Sequence, residues 1–330
     1  MHRLVFPFCI LAILVSVTSP QAALADDRGT WSFNWENDIY GGTDRNYSNG
    51  VRLSYVSPAV TEEGFHRWLA DTIIGLEDGD SVRYGFAVGH SIFTPEDTET
   101  AAPLPDQHPY AGYLYGEYAG YIQDIDTLSM LALQVGLVGP AALGEEVQNN
   151  FHEIINSYEV LGWDNQLDNE IVFALMYERK ERAWVRTNIE GLDFDVTPHW
   201  GVSLGTLQTQ GKAGATFRLG RELRNDFGPP RVRPALGGGG FFESAPGFNW
   251  YVFAGVEGRA VARNVLLDGN TYKDTSPNVD KEHFVIDGQA GVVLQYGPAQ
   301  LSWTFVTRTR EFKTQSERQQ FGAVSVSVKF

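Results

Sequence analysis

The chain has 330 residues, 43% of them hydrophobic and 13% aromatic, with 35 Gly, one Cys and a formal net charge of −16. This hydrophobic content argues against a disordered acidic chain. The acidic excess argues against a nucleic-acid partner, because no basic patch meets the phosphate charge. A single thiol, Cys9, excludes a disulfide framework and a Cys-based zinc site.

Residues 1–25 read as a secretory signal peptide. Met1-His2-Arg3 is a positive start, Leu4 to Val17 is almost wholly apolar, and Ala23-Leu24-Ala25 is a small-residue cleavage site before Asp26-Asp27. The apolar run is shorter than the ~20 residues that span a bilayer as a helix. The expected mature domain is 26–330, exported and free of thiols.

From residue 30 onward the dominant signal has period two. Val51, Leu53 and Tyr55 alternate with Arg52 and Ser54, and Leu131, Leu133, Val135 and Leu137 with Ala132, Gln134 and Gly136. Leu301, Trp303 and Phe305 alternate with Ser302 and Thr304, and Val324, Val326, Val328 and Phe330 with small or polar neighbours. One apolar face against one polar face marks half-buried strands.

Strands are expected near 31–38, 48–58, 82–93, 110–123, 127–139, 169–187, 192–209, 212–222, 249–263, 283–296, 299–312 and 320–330, with 169–187 open to division into two. About twelve long strands suit an all-β, up-and-down antiparallel transmembrane barrel with its apolar face toward lipid. A soluble β-sandwich shares the alternation. The strand lengths and the aromatic C-terminal residue Phe330 favour the membrane barrel, as does a mean hydropathy of −0.22, too low for a helical membrane protein. Tyr110, Tyr113, Tyr115, Tyr118 and Tyr121, with Trp163, Trp184, Trp200, Trp250 and Trp303, are placed to furnish interfacial girdles.

Two segments break the period. In 145–157, Val147, Phe151 and Ile154/Ile155 follow helical spacing, giving a short amphipathic helix in the long connection between two strands. A second helix is expected from Phe65 to Ile74. Residues 94–108 and 225–248 are Pro- and Gly-containing loops, the latter with Gly237 to Gly240 in a row.

Three polar clusters carry potential chemistry. Trp35-Glu36-Asn37-Asp38 ends the first strand and is followed by a run from Gly41 to Gly50. These residues suit a plain turn, yet Asn37, Asp38 and Ser48 also offer oxygens to a hard cation such as Ca2+. His152 follows Gln148, Asn149 and Asn150 on the helix interrupting the strands, and competes with a reading as a packing histidine beside Phe151. Gly162 to Gln166, with Asn169-Glu170, is a polar loop that either orders the helix or adds oxygens.

Between Arg83 and Arg179 there is no Lys or Arg, while acids recur. Toward a phosphorylated lipid such a surface is repulsive unless divalent cations bridge it. No G-x-S-x-G elbow is present. A His beside an oxygen-rich cation site instead suggests ester hydrolysis by activated water.

Taken together, Glu36-Asn37-Asp38, Asn46 to Gly50, Ser91 to Pro95, Pro109 to Gly112, Gly139-Pro140, Glu146 to His152 and Trp163 to Gln166 resemble the LpxR-type lipid A 3′-O-deacylases of the outer membrane. The similarity covers the mature chain, and Glu146 to His152 followed by Trp163 to Gln166 is its most specific part. The resemblance implies a monomeric, twelve-stranded barrel in the outer membrane of a Gram-negative bacterium. It implies calcium-dependent removal of the 3′-linked acyloxyacyl group of lipid A, with lipopolysaccharide and the bilayer as partners. By the same resemblance His152 is the catalytic base, Asn37 and Asp38 are the metal and active-site pair, and Ser48 stands where the family has Thr or Ser.

Two positions depart from the family pattern. A Glu six residues after the His is here Tyr158, with Glu159 next, and a family Lys has no counterpart in the 94–108 loop, which holds no Lys or Arg. Its role then falls to backbone N–H groups, Arg45, Arg52 or the metal. The rival functions are a phospholipase on the same barrel and a non-catalytic porin.

Overall fold

In the computed structural model, residues 28–41, 45–60, 64–73, 75–77, 79–229 and 240–330 are described. The expected signal peptide and most of the Gly237 to Gly240 run lie outside them.

Thirteen strands form one antiparallel sheet: β1 (Thr30–Asn37), β2 (Asn46–Val56), β3 (Ser81–Thr94), β4 (Ala111–Gln123), β5 (Thr127–Val138), β6 (Glu170–Glu181), β7 (Val185–Ile189), β8 (Leu192–Leu204), β9 (Gln208–Gly220), β10 (Ala245–Asn264), β11 (Phe284–Gly297), β12 (Ala299–Arg308) and β13 (Gln319–Lys329). β1 pairs with both β2 and β13, and β6 pairs with β8 from Leu175↔Leu204 to Lys180↔His199, which closes a twelve-stave barrel. The expected 169–187 strand divides into β6 and β7, because the chain turns at Ala183 (φ 58°) and β7 extends the β8 hairpin beyond β6.

The polarity is inverted relative to a soluble sandwich. On β1 the outward Trp31 and Phe33 are 45% and 49% exposed, while Ser32, Asn34 and Glu36 are buried inside. The lumen is filled by paired side chains. Arg52 meets Glu117 at 2.7 Å, Lys212 bridges Glu178 and Glu257, Arg218 bridges Asp195 and Asp226, and Arg259 and Arg308 converge on Asp287. An apolar outside and a polar, plugged inside define a lipid-embedded barrel.

The aromatic girdle needs correction. Trp184, Trp200 and Trp303 do face outward and exposed, but Tyr113, Tyr115 and Tyr121 are buried in the lumen. Both parities of β4 carry aromatic or aliphatic residues, so alternation alone does not identify its lipid face. The missing Cβ of Gly89 leaves room for the Tyr115 ring and that of Gly136 for Tyr113. Tyr110 and Trp163 are also buried, ring to ring at 5.1 Å beneath a loop.

Among the described residues three short α-helices interrupt the strands: α1 (Phe65–Ile73), α2 (Gly144–Ile154) and α3 (Val265–Asp268). The first two match expectation within a residue or three. The short α3 has no signature in the alternation pattern. β1 begins and β13 ends at one rim, where α1 also lies, and α2 sits at the opposite rim.

Candidate active site

α2 lies against the outer surface of the wall. On β3 the outward residues Phe86 and Val88 are more than half exposed, whereas Ile92, next but one on the same face, is 1% exposed because α2 covers it. Two glycines permit this approach: a Cβ on Gly112 of β4 would lie 2.9 Å from the Gly144 nitrogen at the start of α2. His90, also outward on β3, donates from Nε2 to the Ala142 carbonyl at 2.7 Å and ties down the turn before α2.

Between α2 and the wall is a cavity of about 150 Å³ lined by Asn37, Asp38, Ser48, Gln148, His152 and Tyr158, among others. All four residues assigned from the sequence therefore face one pocket. Asn37 ends β1, and its Oδ1 accepts from the Ile39 N–H at 2.8 Å, shaping the turn that presents Asp38. Asp38 Oδ2 accepts from the Arg45 N–H at 2.6 Å, which fixes the carboxylate.

The β2–β3 register shifts between Tyr47 and Asn49, making Ser48 the bulged residue. A bulge re-aims a side chain without ending the strand pairing. Tyr47 points into the lumen against Phe93 and Phe321, while Ser48 lines the outer pocket, its Oγ 2.7 Å from Thr94 Oγ1.

On α2, His152 Nδ1 lies 2.7 Å from the Tyr158 carbonyl oxygen. A carbonyl only accepts, so Nδ1–H donates, and in the neutral ring the lone pair sits on Nε2. The Tyr158 ring packs edge-on to the imidazole at 5.4 Å, and its hydroxyl reaches Thr98 Oγ1 at 2.9 Å. Tyr158 lines the pocket, whereas the neighbouring Glu159 does not.

Arg45 and Arg52 do not line the pocket. Arg45 is drawn to Glu96 and to Glu317, the latter at 2.8 Å, and Arg52 is inside the lumen with Glu117. Sequence reasoning noted Gln148 beside His152 but gave it no role. Its Oε1 accepts from Trp163 Nε1 at 3.1 Å, and its buried Nε2 has no hydrogen-bond partner among the described residues. The signals that pointed to it were its place one turn before His152 and its position inside the Glu146 to His152 stretch.

The third cluster orders the helix. Trp163 props Gln148, Asn165 donates to the Ala101 carbonyl, and Asn169 accepts from the Ala141 N–H; none of the three lines the pocket. Asn149 grips Val160 through both its amide groups and folds the strap after α2 back over the site.

Asn37, Asp38 and Ser48 are hard oxygen donors on one wall of one pocket, a set that suits calcium better than a softer metal. Among the described residues no cluster of three or more His, Cys, Asp or Glu is present to form a denser cation cage.

Fold and site together define an outer-membrane barrel whose candidate pocket opens on its lipid-facing side. The family model of "Outer membrane protein LpxR" matches residues 6–330. The chain therefore belongs to the LpxR family, at family level the outer-membrane lipid A deacylases that its segments resemble. LpxR from Salmonella typhimurium superposes with a TM-score of 0.73 at 20% identity, covering 91% of this chain and 100% of that one, and so shares the fold. The β domain of the Bordetella autotransporter BrkA (9% identity, TM-score 0.44, 92% and 100% covered) and the translocator domain of NalP from Neisseria meningitidis (9%, 0.40, 92% and 87%) are more distant. No curated protein matches the chain.

Proposed function

We propose that this protein hydrolyses the 3′-linked acyloxyacyl ester of lipid A within the outer membrane, with calcium as cofactor. The observation that carries the reading is the location of the pocket. It lies between α2 and the outer wall, so a lipid lying in the bilayer meets it sideways without passing through the plugged lumen.

His152 Nε2 takes a proton from water as the water oxygen bonds to the ester carbonyl carbon. The Tyr158 carbonyl keeps Nδ1–H in place and steadies the imidazolium that forms. When the carbonyl–oxygen bond to the sugar breaks, the imidazolium returns its proton to the leaving sugar oxygen. The products are a fatty acid and a free 3′-hydroxyl.

Asn37, Asp38 and Ser48 are the residues that would hold Ca2+, which when bound supplies positive charge to polarise an ester carbonyl. Gln148, with its Oε1 held by Trp163, brings an uncharged amide donor to the pocket that His152 also lines.

Mass spectrometry of lipid A and of phospholipids from cells with and without the protein tests this reading. Loss of the 3′ acyloxyacyl mass from lipid A supports it, and new lysophospholipid with intact lipid A identifies a phospholipase. Conductance in planar bilayers is expected only from a porin, a reading that the ion-paired lumen opposes.

A further inference from the structure

The second notable recess lies on the same outer wall at the opposite rim. α1 folds back over the lipid face of β3 and β4, where His66 stacks on Tyr84 at 4.1 Å. Beneath it Val82 and Ile122 are 1% and 6% exposed, although they continue the outward rows of Phe86 and Leu114. On its free side, Phe65 and Trp68 are 62% and 60% exposed. An amphipathic helix carrying exposed aromatics at a barrel rim belongs in the membrane interface.

Between α1 and the wall runs an apolar cavity of about 170 Å³, lined by Leu69, Ala70, Gly120, Leu131, Leu133 and Leu175, among others. Strand register orders its floor. Gly120 pairs with Leu131, which pairs with Tyr177; one step toward the termini, Ile122 pairs with Ser129, which pairs with Arg179. Arg179 donates from Nη1 to Ser129 Oγ at 3.1 Å, lies 3.8 Å from Glu181 and also faces the Asp124 carboxylate. The groove is continuous with the lipid-facing belt of Leu133, Val135 and Leu175, and Arg179, outside its lining, stands two strands from Ile122 at the level of its rim-side end.

We propose that this groove holds one glycerophospholipid of the leaflet at the terminus-side rim, an acyl chain lying along Leu131, Leu133 and Leu175 with its phosphate at Arg179. Assigning that leaflet as the phospholipid one rests on the reading that the catalytic rim faces lipopolysaccharide. The lipid binding itself is measured without any deacylation assay, so the two ideas fail separately.

A Cβ built on Gly120 meets nothing within 4 Å, so Gly120→Leu fills the groove without displacing the wall. Native mass spectrometry of the full protein, extracted from membranes in mild detergent, compares wild type with Gly120→Leu and Arg179→Gln. Heat-modifiable gel mobility confirms that each barrel is folded. Wild type should carry one adduct of glycerophospholipid mass, Gly120→Leu should lose it, and Arg179→Gln should reduce its occupancy about tenfold, the worth of one charge-assisted hydrogen bond. A wild type carrying detergent alone, equal occupancy in Gly120→Leu, or occupancy unchanged in Arg179→Gln would each overturn the proposal.

Discussion

His152 and Tyr158 are joined through the backbone: the imidazole Nδ1–H donates to the Tyr158 carbonyl at 2.7 Å, so a main-chain acceptor helps to orient the proposed base. The Tyr158 hydroxyl serves a different partner, Thr98. Tyr158→Phe should therefore retain turnover within about fivefold of wild type, the cost of one ordinary hydrogen bond. Steady-state deacylation of lipid A micelles measures it. A loss as deep as that of a His152 variant would transfer the role to the phenol.

The seat of α2 depends on two glycines in contact. Gly112→Val brings side-chain carbon against the Gly144 backbone and should lift α2 from the wall while leaving the strand ladder intact. Displacing a catalytic group by about 1 Å costs on the order of 100-fold in rate. Deacylation assays alongside heat-modifiable mobility check this: the expected result is a folded, nearly inactive barrel.

Asp38 contributes the one carboxylate among the three proposed cation ligands. Asp38→Asn should raise the calcium needed for half-maximal turnover by about tenfold or more, since affinity at oxygen sites follows ligand charge. Chelation should stop the wild type, and calcium should restore it better than magnesium, because a loose oxygen site suits the larger ion. Calcium titration of turnover in both proteins measures the shift. Equal calcium dependence would remove Asp38 from the ligand set.

His108, in the loop before β4, stacks on Phe93 and meets Phe312 edge-on. Burial pushes its pKa below the usual histidine value of 6.5, outweighing the Pro109 carbonyl and Glu311, which act in the opposite direction. The unfolded chain therefore takes up this proton before the folded one. The stabilisation is complete above the ordinary value and is lost as pH falls from there through the depressed one. His108→Phe should narrow the gap between thermal midpoints at pH 5 and pH 8, read from heat-modifiable mobility. An unchanged gap would contradict the assignment.

The barrel was legible because lipid on one side and paired polar groups on the other leave a period-two record along most strands. β4 blurred that record: Tyr113, Leu114 and Tyr115 are all aromatic or aliphatic, and only the glycines opposite show which rings turn inward. Asn37, Asp38 and Ser48 stood out as oxygen donors around the first turn, and His152 as a histidine on a helix that interrupts the strands. Their convergence was not legible, because it depends on the bulge at Ser48 and on the close approach of Gly112 to Gly144. The support for His152 was hidden for a simpler reason: it comes from a backbone carbonyl, which every residue carries.

Hydrolysis by purified wild type and His152→Ala in ¹⁸O-labelled water, with calcium supplied, tests the central claim most directly. The account predicts that wild type releases the 3′ acyloxyacyl acid with one ¹⁸O in its carboxyl group. It predicts that His152→Ala, folded by heat-modifiable mobility, is slower by about 100- to 10,000-fold, the usual worth of a general base. Undiminished release by His152→Ala, or acid released without the label, would contradict it.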